Sequence, residues 1–382
     1  MGRVAKVIGA ALIARLVMLL IIAPSAGGDG LYYLATGAHF AQTGQIGDMV
    51  RPPLYPMFIA LFAQSTTAIF IAQSLLTTAF ALITLRLTGS LTKALLIAVC
   101  PFFVAFDYSV LAECLLIFLF GTGWLLMDSK RPLLAGLCLG CAILTRDTVL
   151  LLPLFALPIG WYMGRGRQFV VMAVAAYAVV LPWCLHNKVE FGHFAVSEGR
   201  MGYNLWVGTW EHDGTWSLSG YDPKHAAYPA NAFRSPAEKA RVQQGWDAHD
   251  DSIFKQVAME RMRDAPVQTL VTWAIRYPRL WLGTRMDLIP MRATRGSLLF
   301  TALKSLFWGL NLIMLGLGIA AMVARRNWYL AIPVAYTALM YVPFHNIETR
   351  FTLPVLPFLL FAVAEWLGDL TRKRRKLAEN AT

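Results

Sequence analysis

The run VIGAALIARLVMLLIIA, residues 7–23, contains a single charged residue, Arg15. Its length matches the roughly 17 to 25 apolar residues that a helix needs to cross about 30 Å of hydrocarbon. Comparable runs recur along the 382 residues, which are 57% hydrophobic and only 15% charged. A soluble chain has about 25% charged residues. Alternating apolar and polar strands are absent, so the sequence predicts an all-α polytopic membrane protein.

The first run also has features of a signal peptide, since it has a basic start and is followed by the small residues APSAGG, 23–28. A charge in the middle of a short signal sequence is costly. In a multi-helix bundle, Arg15 can instead face a protein partner. We therefore expect residues 7–24 to be an uncleaved membrane anchor.

Charge is distributed unevenly along the chain, which has 34 basic and 22 acidic residues. Basic clusters alternate with the apolar runs, and positive residues mark the cytoplasmic side of a membrane. The same rule explains the basic C-terminal tail, so no nucleic-acid partner is expected. The stretch around Asp29 and the long polar segment then face the periplasm of a bacterial inner membrane. The basic clusters are SLTK (90–93), SKR (129–131), GRGR (164–167), ARRN (324–327) and RKRRK (372–376).

The apolar runs predict about ten transmembrane helices with both chain ends inside. The predicted spans are 7–24, 67–86, 94–106, 110–127, 132–145, 148–163, 168–185, 298–323, 328–344 and 352–369. Three regions follow: an N-terminal transmembrane module with a first periplasmic loop at 25–65, a periplasmic loop with juxtamembrane helices, and C-terminal transmembrane helices with a basic cytoplasmic tail. Their bounds are 1–186, 187–296 and 297–382.

The first loop contains a predicted helix from about Leu31 to Gln42, ended by Gly44. The following apolar stretch, Leu54–Ala63, is too short to span and is expected to lie along or dip into the membrane surface. The short runs 132–145 and 148–163 predict a hairpin with Arg146 and Asp147 at its outer tip. These two residues are expected to form a structural ion pair.

Apolar residues alternate with four arginines in the region 266–296. This pattern predicts a juxtamembrane amphipathic helix. The alternative is that the arginines neutralise a lipid phosphate. They are Arg276, Arg279, Arg285 and Arg292.

The five cysteines lie in or beside apolar runs, so no disulfide framework is indicated. The pair in CLGC, 138–141, has the spacing of metal ligands. Small residues at helical spacing around it instead favour close helix packing. The use of a metal is left open, with a divalent cation as the cofactor to consider.

Asp29 lies in AGGDGLYYLATGAHFAQTGQ, residues 26–45, at the mouth of the first apolar run. One interpretation is a loop acid or a helix N-cap. The other is a general base, since two tyrosines follow it and Arg51 lies about twenty residues later. A carboxylate can accept the proton of an acceptor hydroxyl, and arginine can hold a departing phosphate. Aromatic rings stack on sugar faces, and the candidates are Tyr32, Tyr33 and Tyr55.

Several motifs resemble the membrane-embedded C-type glycosyltransferases that use polyprenyl-phosphate sugars, a superfamily that includes protein O-mannosyltransferases and lipid A aminoarabinose transferases. They are GDGLYYLATGAHFAQTGQ, RPPLYPMFIALF, LAECLLIFLF, LLAGLCLGCAILTRDTVLLLP and HNIETRFTLPVLPFLLFAVAE. The resemblance implies that family's fold and an inverting transfer with Asp29 as base and Arg51 on the donor phosphate. It also implies a second acid, which is either Asp107 or Glu113. Many family members have two adjacent acids in the first loop, whereas Gly30 follows Asp29 here.

Glu113 begins an apolar run, where a carboxylate must be paired or face water. A functional role and a structural pair with Arg146 remain alternatives. The cluster FHNIETRF, 344–351, predicts a donor-phosphate role for Arg350, with Glu348 orienting it and His345 beside it. In the aromatic segment NLWVGTWEHDGTW, sugar contact and structural packing are both open. Its candidates for donor or acceptor contact are Trp206, Trp210 and Glu211.

The expected function is therefore the transfer of a sugar from a polyprenyl-phosphate donor to a hydroxyl of a glycolipid, polysaccharide or protein. The alternative is a transporter or flippase of lipid-linked sugars, which needs many of the same features. It would also need a polar path across the bilayer. The polar residues of this sequence gather on the predicted outer side.

Overall fold

The computed structural model describes residues 2–198, 201–209, 234–247, 250–284, 289, 291–343 and 349–379. Within these ranges the regular structure is helical, apart from two isolated bridges. The helices are α1 Arg3–Leu19, α2 Asp29–Thr43, α3 Leu54–Ala60, α4 Thr66–Thr88, α5 Leu91–Val99, α6 Pro101–Asp107, α7 Glu113–Asp128, α8 Pro132–Thr145, α9 Leu152–Tyr162, α10 Gly166–Glu190, α11 Met201–Gly208, α12 Pro236–Asp247, α13 Asp251–Asp264, α14 Pro266–Arg276, α15 Pro278–Leu282, α16 Leu298–Arg325, α17 Trp328–Met340 and α18 Leu356–Glu379. Short 3₁₀ helices occupy Asp147–Val149 and Thr349–Val355.

Among the described residues, four helical segments are long and apolar enough to cross a membrane. They are Thr66–Thr88, Gly166–Glu190, Leu298–Arg325 and Thr349–Lys373, the last of which joins the second 3₁₀ helix to α18. Shorter apolar helices lie at Pro132–Thr145, Asp147–Tyr162 and Trp328–Met340. The chain is thus an all-α membrane protein.

Two predicted helices are broken in the structure. The predicted span 94–106 is divided between α5 and α6, because Pro101 starts the second helix and has no N–H with which to continue the first. The predicted helix over 266–296 is also wrong as one element. Its first part, 266–283, contains the two helices α14 and α15, separated before Pro278, and then Gly283 in an extended conformation.

Arg15, which is expected to face a protein partner, pairs with Asp107 at the end of α6. Arg15 Nη2 lies 2.7 Å from Asp107 Oδ2, and both side chains are buried. Thr77 of α4 donates to the same carboxylate at 3.0 and 3.1 Å. Since a buried charge without a partner is costly, this cluster fixes how α1, α4 and α6 pack together.

Helix α8 packs closely on α10 through two glycines. A Cβ at Gly136 would lie 2.4 Å from the carbonyl oxygen of Met172, and one at Gly140 would lie 2.7 Å from that of Ala176. The prediction that small residues around CLGC allow close helix packing is therefore confirmed. Packing of this kind replaces the hydrophobic effect, which does not drive association between helices in lipid.

Four large apolar residues of α14 are exposed, and two threonines are buried on its other side. On the inner side, the Arg276 guanidinium donates to the carbonyl of Val207 at 2.8 Å. An outward apolar face with an inward polar face is the arrangement of a helix that contacts lipid. The exposed residues are Val267, Leu270, Val271 and Ile275, and the buried ones are Thr269 and Thr272.

We predict that Gly136→Ala destabilises the protein by about 1 to 3 kcal/mol, the usual cost of overpacking. The added methyl group meets the backbone of α10, which cannot move without shifting the helix. The matched control is Gly309→Ala in α16, where a Cβ meets nothing within 4 Å. Thermal unfolding in detergent should show a loss for the first variant only. Equal stability of the two variants would contradict the packing.

A double-mutant cycle tests the buried ion pair. Arg15→Leu alone should cost about 3 to 5 kcal/mol, because it leaves the Asp107 carboxylate buried without its charge partner. Arg15→Leu with Asp107→Leu should recover much of that loss, since neither charge remains. Free energies of unfolding of the four proteins measure the coupling. Additive losses would show that the two side chains do not interact.

Candidate active site

Asp29 is the first residue of α2, and its side chain does not cap the helix. The N-cap is Gly28, whose φ of 51° requires a residue without a side chain. The Asp29 carboxylate instead pairs with two arginines. Its Oδ1 lies 2.7 Å from Arg51 Nη2, and its Oδ2 lies 3.1 Å from Arg350 Nη2. Of the two interpretations of Asp29, the structure therefore disfavours the N-cap.

Aromatic rings of α2 hold Arg51 against Asp29. The Arg51 guanidinium lies 5.2 Å from the Tyr33 ring centre and 5.7 Å from that of Tyr32. Arg51 Nη1 also donates to the Tyr33 hydroxyl at 3.4 Å. The Tyr32 hydroxyl donates to Asp48 at 2.5 Å, which anchors the loop that carries Arg51. Asp29 and Arg51, which lie in the same loop of the sequence, are thus in direct contact.

Arg350 reaches the site from the second 3₁₀ helix, beside an aromatic ring that it shares with Arg146. Both guanidiniums lie over Phe351, at 5.0 Å for Arg350 and 4.6 Å for Arg146. Tyr341 stacks on the same ring, with centroids 5.0 Å apart. Cation–π contacts of this kind allow two like charges to lie near one ring.

Glu113, the first residue of α7, compensates these positive charges. Its Oε1 accepts a hydrogen bond from Arg146 Nη1 at 2.7 Å and lies 4.0 Å from Arg350 Nη1. The structural pair between Glu113 and Arg146, one of the two alternatives, is thus present. The predicted ion pair between Arg146 and Asp147 is wrong, because Arg146 turns to Glu113 and Asp147 instead accepts from Ser197 Oγ at 2.5 Å.

Exposure distinguishes the three acids. The Asp29 side chain is 29% exposed, whereas that of Glu113 is 2% exposed and that of Asp107 is completely buried. Only Asp29 among them offers its carboxylate to a molecule from outside. Of the two candidates for a second site acid, Glu113 contacts the Asp29 cluster through the arginines, and Asp107 is occupied by Arg15.

The tyrosines predicted to contact sugar lie at different depths. Tyr55 is completely buried, and its hydroxyl donates to Gln73 Oε1 at 2.9 Å. Tyr33 is buried and packs edge-on against Tyr55, with centroids 4.8 Å apart. The structure thus places the Tyr33 ring beneath Arg51 and packs the Tyr55 ring against Tyr33. Tyr32 is partly exposed and remains available to a ligand.

Four predicted site residues lie outside the described residues, namely Trp210, Glu211, His345 and Glu348. Their predicted roles stay predictions. Trp206 is described and is completely buried. It packs against Phe254 between α11 and α13, so its position favours structural packing over sugar contact.

Gly30 explains why a second acid does not follow Asp29. A Cβ on Gly30 would lie 2.9 Å from the carbonyl oxygen of Val110 and 3.3 Å from its Cβ. The start of α2 therefore touches the segment before α7 directly. Any side chain at position 30 would push these two segments apart.

The described side chains of this cluster carry a net positive charge, because three guanidiniums face two carboxylates. Burial alone would raise the pKa of Asp29. The guanidiniums of Arg51 and Arg350 outweigh that effect and hold its pKa below the usual value. Asp29 is therefore ionised at neutral pH, as a base must be. Guanidinium groups of this kind also bind phosphate and other anions.

Within the described ranges, no three His, Cys, Asp or Glu side chains come together as a metal-binding group. The described part of the cluster is rich in arginine, which repels a cation. Its residues therefore fit a phosphate better than a divalent metal.

No protein-family model, no curated protein and no solved structure matches this chain.

Two residues have contacts in the site that the sequence patterns predict only in part. The patterns give Arg146 both Asp147 and Glu113 as candidate partners, and they include Phe351 only as part of the last motif. The signal for Arg146 is its place at the tip of two short apolar runs, which puts it at the same end of the bundle as Glu113. Nothing in the sequence alone connects Phe351 with Arg146.

We predict that Arg51→Gln raises the pKa of Asp29 towards the ordinary value of about 3.9, because one of the two paired cations is lost. A hydrophobic carbodiimide, which reacts with protonated carboxyl groups, reports this as labelling of Asp29 at higher pH, read by peptide mass spectrometry. The control is Arg263→Gln on the exposed side of α13. An unchanged midpoint in Arg51→Gln would show that the pair does not control the ionisation.

Proposed function

We propose that this protein is an inverting glycosyltransferase that moves a sugar from a polyprenyl-phosphate donor to an acceptor hydroxyl. The observation that carries the proposal is the partly exposed carboxylate of Asp29 held between Arg51 and Arg350. A base and two phosphate-binding groups thus lie within one hydrogen bond of each other. The motif resemblance supports the same roles for these residues.

The transfer assigns a separate task to each group. The acceptor hydroxyl gives its proton to an Asp29 carboxylate oxygen as its own oxygen forms a bond to the anomeric carbon. The bond from that carbon to the phosphate oxygen breaks, and the phosphate keeps the electron pair. Attack opposite the leaving group inverts the anomeric configuration.

Arg51 is able to hold Asp29 and the phosphate at the same time. A guanidinium carries five N–H donors, and its contacts with Asp29 and Tyr33 engage two of its nitrogens. A charged hydrogen bond to the leaving phosphate strengthens as charge develops there, which lowers the barrier. Glu113 would hold Arg146 and Arg350 in place without touching the donor.

The location of the site is part of the proposal. We place it at the periplasmic face of a bacterial inner membrane, in a C-type glycosyltransferase fold with about ten spans. The basic clusters that alternate with the apolar runs support this orientation. The apolar outer face of α14 supports a position at the membrane surface, where a lipid-linked donor has its head group. The acceptor is a hydroxyl of a glycolipid, a polysaccharide or a protein.

A transporter of lipid-linked sugars is less well supported. Along α7, the polar cluster that begins at Glu113 gives way to a buried aromatic layer. Phe120, Trp124 and Phe358 pack against one another there, with centroids 5.3 to 6.4 Å apart. The acid Glu365 lies with Lys93 and Arg325 in a separate cluster. A polar path through this aromatic layer would require large rearrangement.

The test is a transfer assay with the purified protein and a panel of polyprenyl-phosphate donors carrying radiolabelled hexoses or pentoses. Release of polyprenyl phosphate is measured with membrane glycolipid, polysaccharide or protein as acceptor. Asp29→Asn should lower turnover by about 10² to 10⁴, the usual contribution of a general base. Asp264→Asn, at the exposed end of α13, is the matched control and should leave turnover unchanged.

Two results would overturn the proposal. One is near wild-type turnover of folded Asp29→Asn. The other is a wild-type protein that neither turns over any donor nor binds polyprenyl phosphate in detergent.

A further inference from the structure

Gln73 is a polar side chain completely buried in the membrane-spanning helix α4. An amide in such a place is costly unless every polar atom has a partner. Its Oε1 accepts from the Tyr55 hydroxyl at 2.9 Å. Its Nε2 donates to the carbonyl oxygens of Asp107 and Ser109, at 2.9 and 2.8 Å. Gln73 thus joins three segments that are separate in the chain.

The first of these connections leads to Arg51. Tyr55, fixed by Gln73, packs edge-on against Tyr33. Tyr33 in turn accepts from Arg51 and lies under its guanidinium. Arg51 then pairs with Asp29 at 2.7 Å. A shift of Tyr55 would be passed to the cation beside the proposed base.

The second connection leads to the backbone of Asp29. The segment 107–109 held by Gln73 pairs with Ser25, whose N–H donates to the Tyr108 carbonyl at 3.0 Å. The Val110 N–H donates back to the Ser25 carbonyl at 3.3 Å. Gly30 lies directly against Val110, since a Cβ at Gly30 would come within 2.9 Å of the Val110 carbonyl oxygen. The residues on both sides of Asp29 therefore rest on a segment that Gln73 holds.

We infer that Gln73 is a positioning residue for Asp29, acting on Arg51 through Tyr55 and Tyr33, and on the Asp29 backbone through the segment 107–110. The inference rests on the proposed function only for the role of Asp29 as base. The two connections themselves are contacts within the protein. Gln73 touches neither Asp29 nor Arg51.

Thr84 provides the comparison that separates positioning from simple core stability. It lies on the same helix and is also completely buried. Its hydroxyl donates to the Phe80 carbonyl of its own helix, at 2.8 Å. Loss of this hydroxyl removes a buried hydrogen bond without touching either connection to Asp29.

The experiment compares Gln73→Met with Thr84→Val in purified full-length protein. Carbodiimide labelling of Asp29 is followed against pH by peptide mass spectrometry. The charged groups that act on Asp29 are Arg51, Arg350 and Arg146, and Glu113 lies behind them. Gln73→Met should move the labelling midpoint upward by about one pH unit as Arg51 withdraws, a tenfold change in the ionisation equilibrium. Thr84→Val should leave it unchanged.

Hydrogen exchange tests the second connection. In Gln73→Met, the amides of Ser25 and Val110 should exchange about tenfold faster. The reason is that Gln73 no longer holds the segment 107–110 in its hydrogen bonds with Ser25. Tyr55→Phe removes only the bond to Gln73 and should raise the Asp29 midpoint by a smaller amount, with exchange at Ser25 unchanged. This milder variant decides the first connection if Gln73→Met does not fold.

An Asp29 midpoint and Ser25 exchange in Gln73→Met that equal those of Thr84→Val would overturn the inference. So would an unchanged midpoint in Tyr55→Phe where Gln73→Met does not fold. Neither readout requires turnover. A wild-type protein without transfer activity would therefore count against the proposed function and not against the positioning role.

Discussion

The pairing of Asp29 with Arg350 joins positions 321 residues apart in the chain, and the rest of the site depends on it. The start of α2 and the second 3₁₀ helix must meet for this contact to form. Arg350 brings Phe351 with it, and that ring also carries Arg146. Without the carboxylates of Asp29 and Glu113, guanidiniums so close together would repel one another. Charge compensation therefore holds together elements from three parts of the chain.

The same constraint acts deeper in the bundle. Lipid offers no partner for a buried polar group, so each one must find its partner on another helix or on its own backbone. Arg15 with Asp107 and Gln73 with the segment 107–109 both meet at the end of α6. Apolar side chains permit many helix arrangements in lipid, since they pack almost as well against acyl chains. These few polar contacts select one arrangement of the helices. In that arrangement the Asp29 carboxylate is partly exposed beside Arg51 and Arg350.

Local features of the sequence predict local structure well, whereas contacts between distant segments are predicted less well. The predicted helix Leu31–Gln42 is part of α2, and Gly44 ends it with φ of 73° as a left-handed C-cap. Caps of this kind depend on the presence or absence of a side chain at one position. By contrast, the sequence offers Arg146 two partners, its neighbour Asp147 and Glu113, and only the folded backbone directs it to Glu113, 33 positions away. A charge in the sequence shows which kinds of partner it needs, and it does not show which of several eligible partners will be near.

The sequence by itself determined that this is an all-α membrane protein, and it singled out Asp29, Arg51 and Arg350 as residues with related chemistry. Hydrophobicity and helix length suffice for the first result, because the bilayer tolerates few alternatives. Only the tertiary structure decided that these three side chains touch, that Glu113 rather than Asp107 lies behind them, and that Asp29 alone among the three acids is accessible. The reason is that burial and pairing are properties of the packed bundle, which no single segment contains.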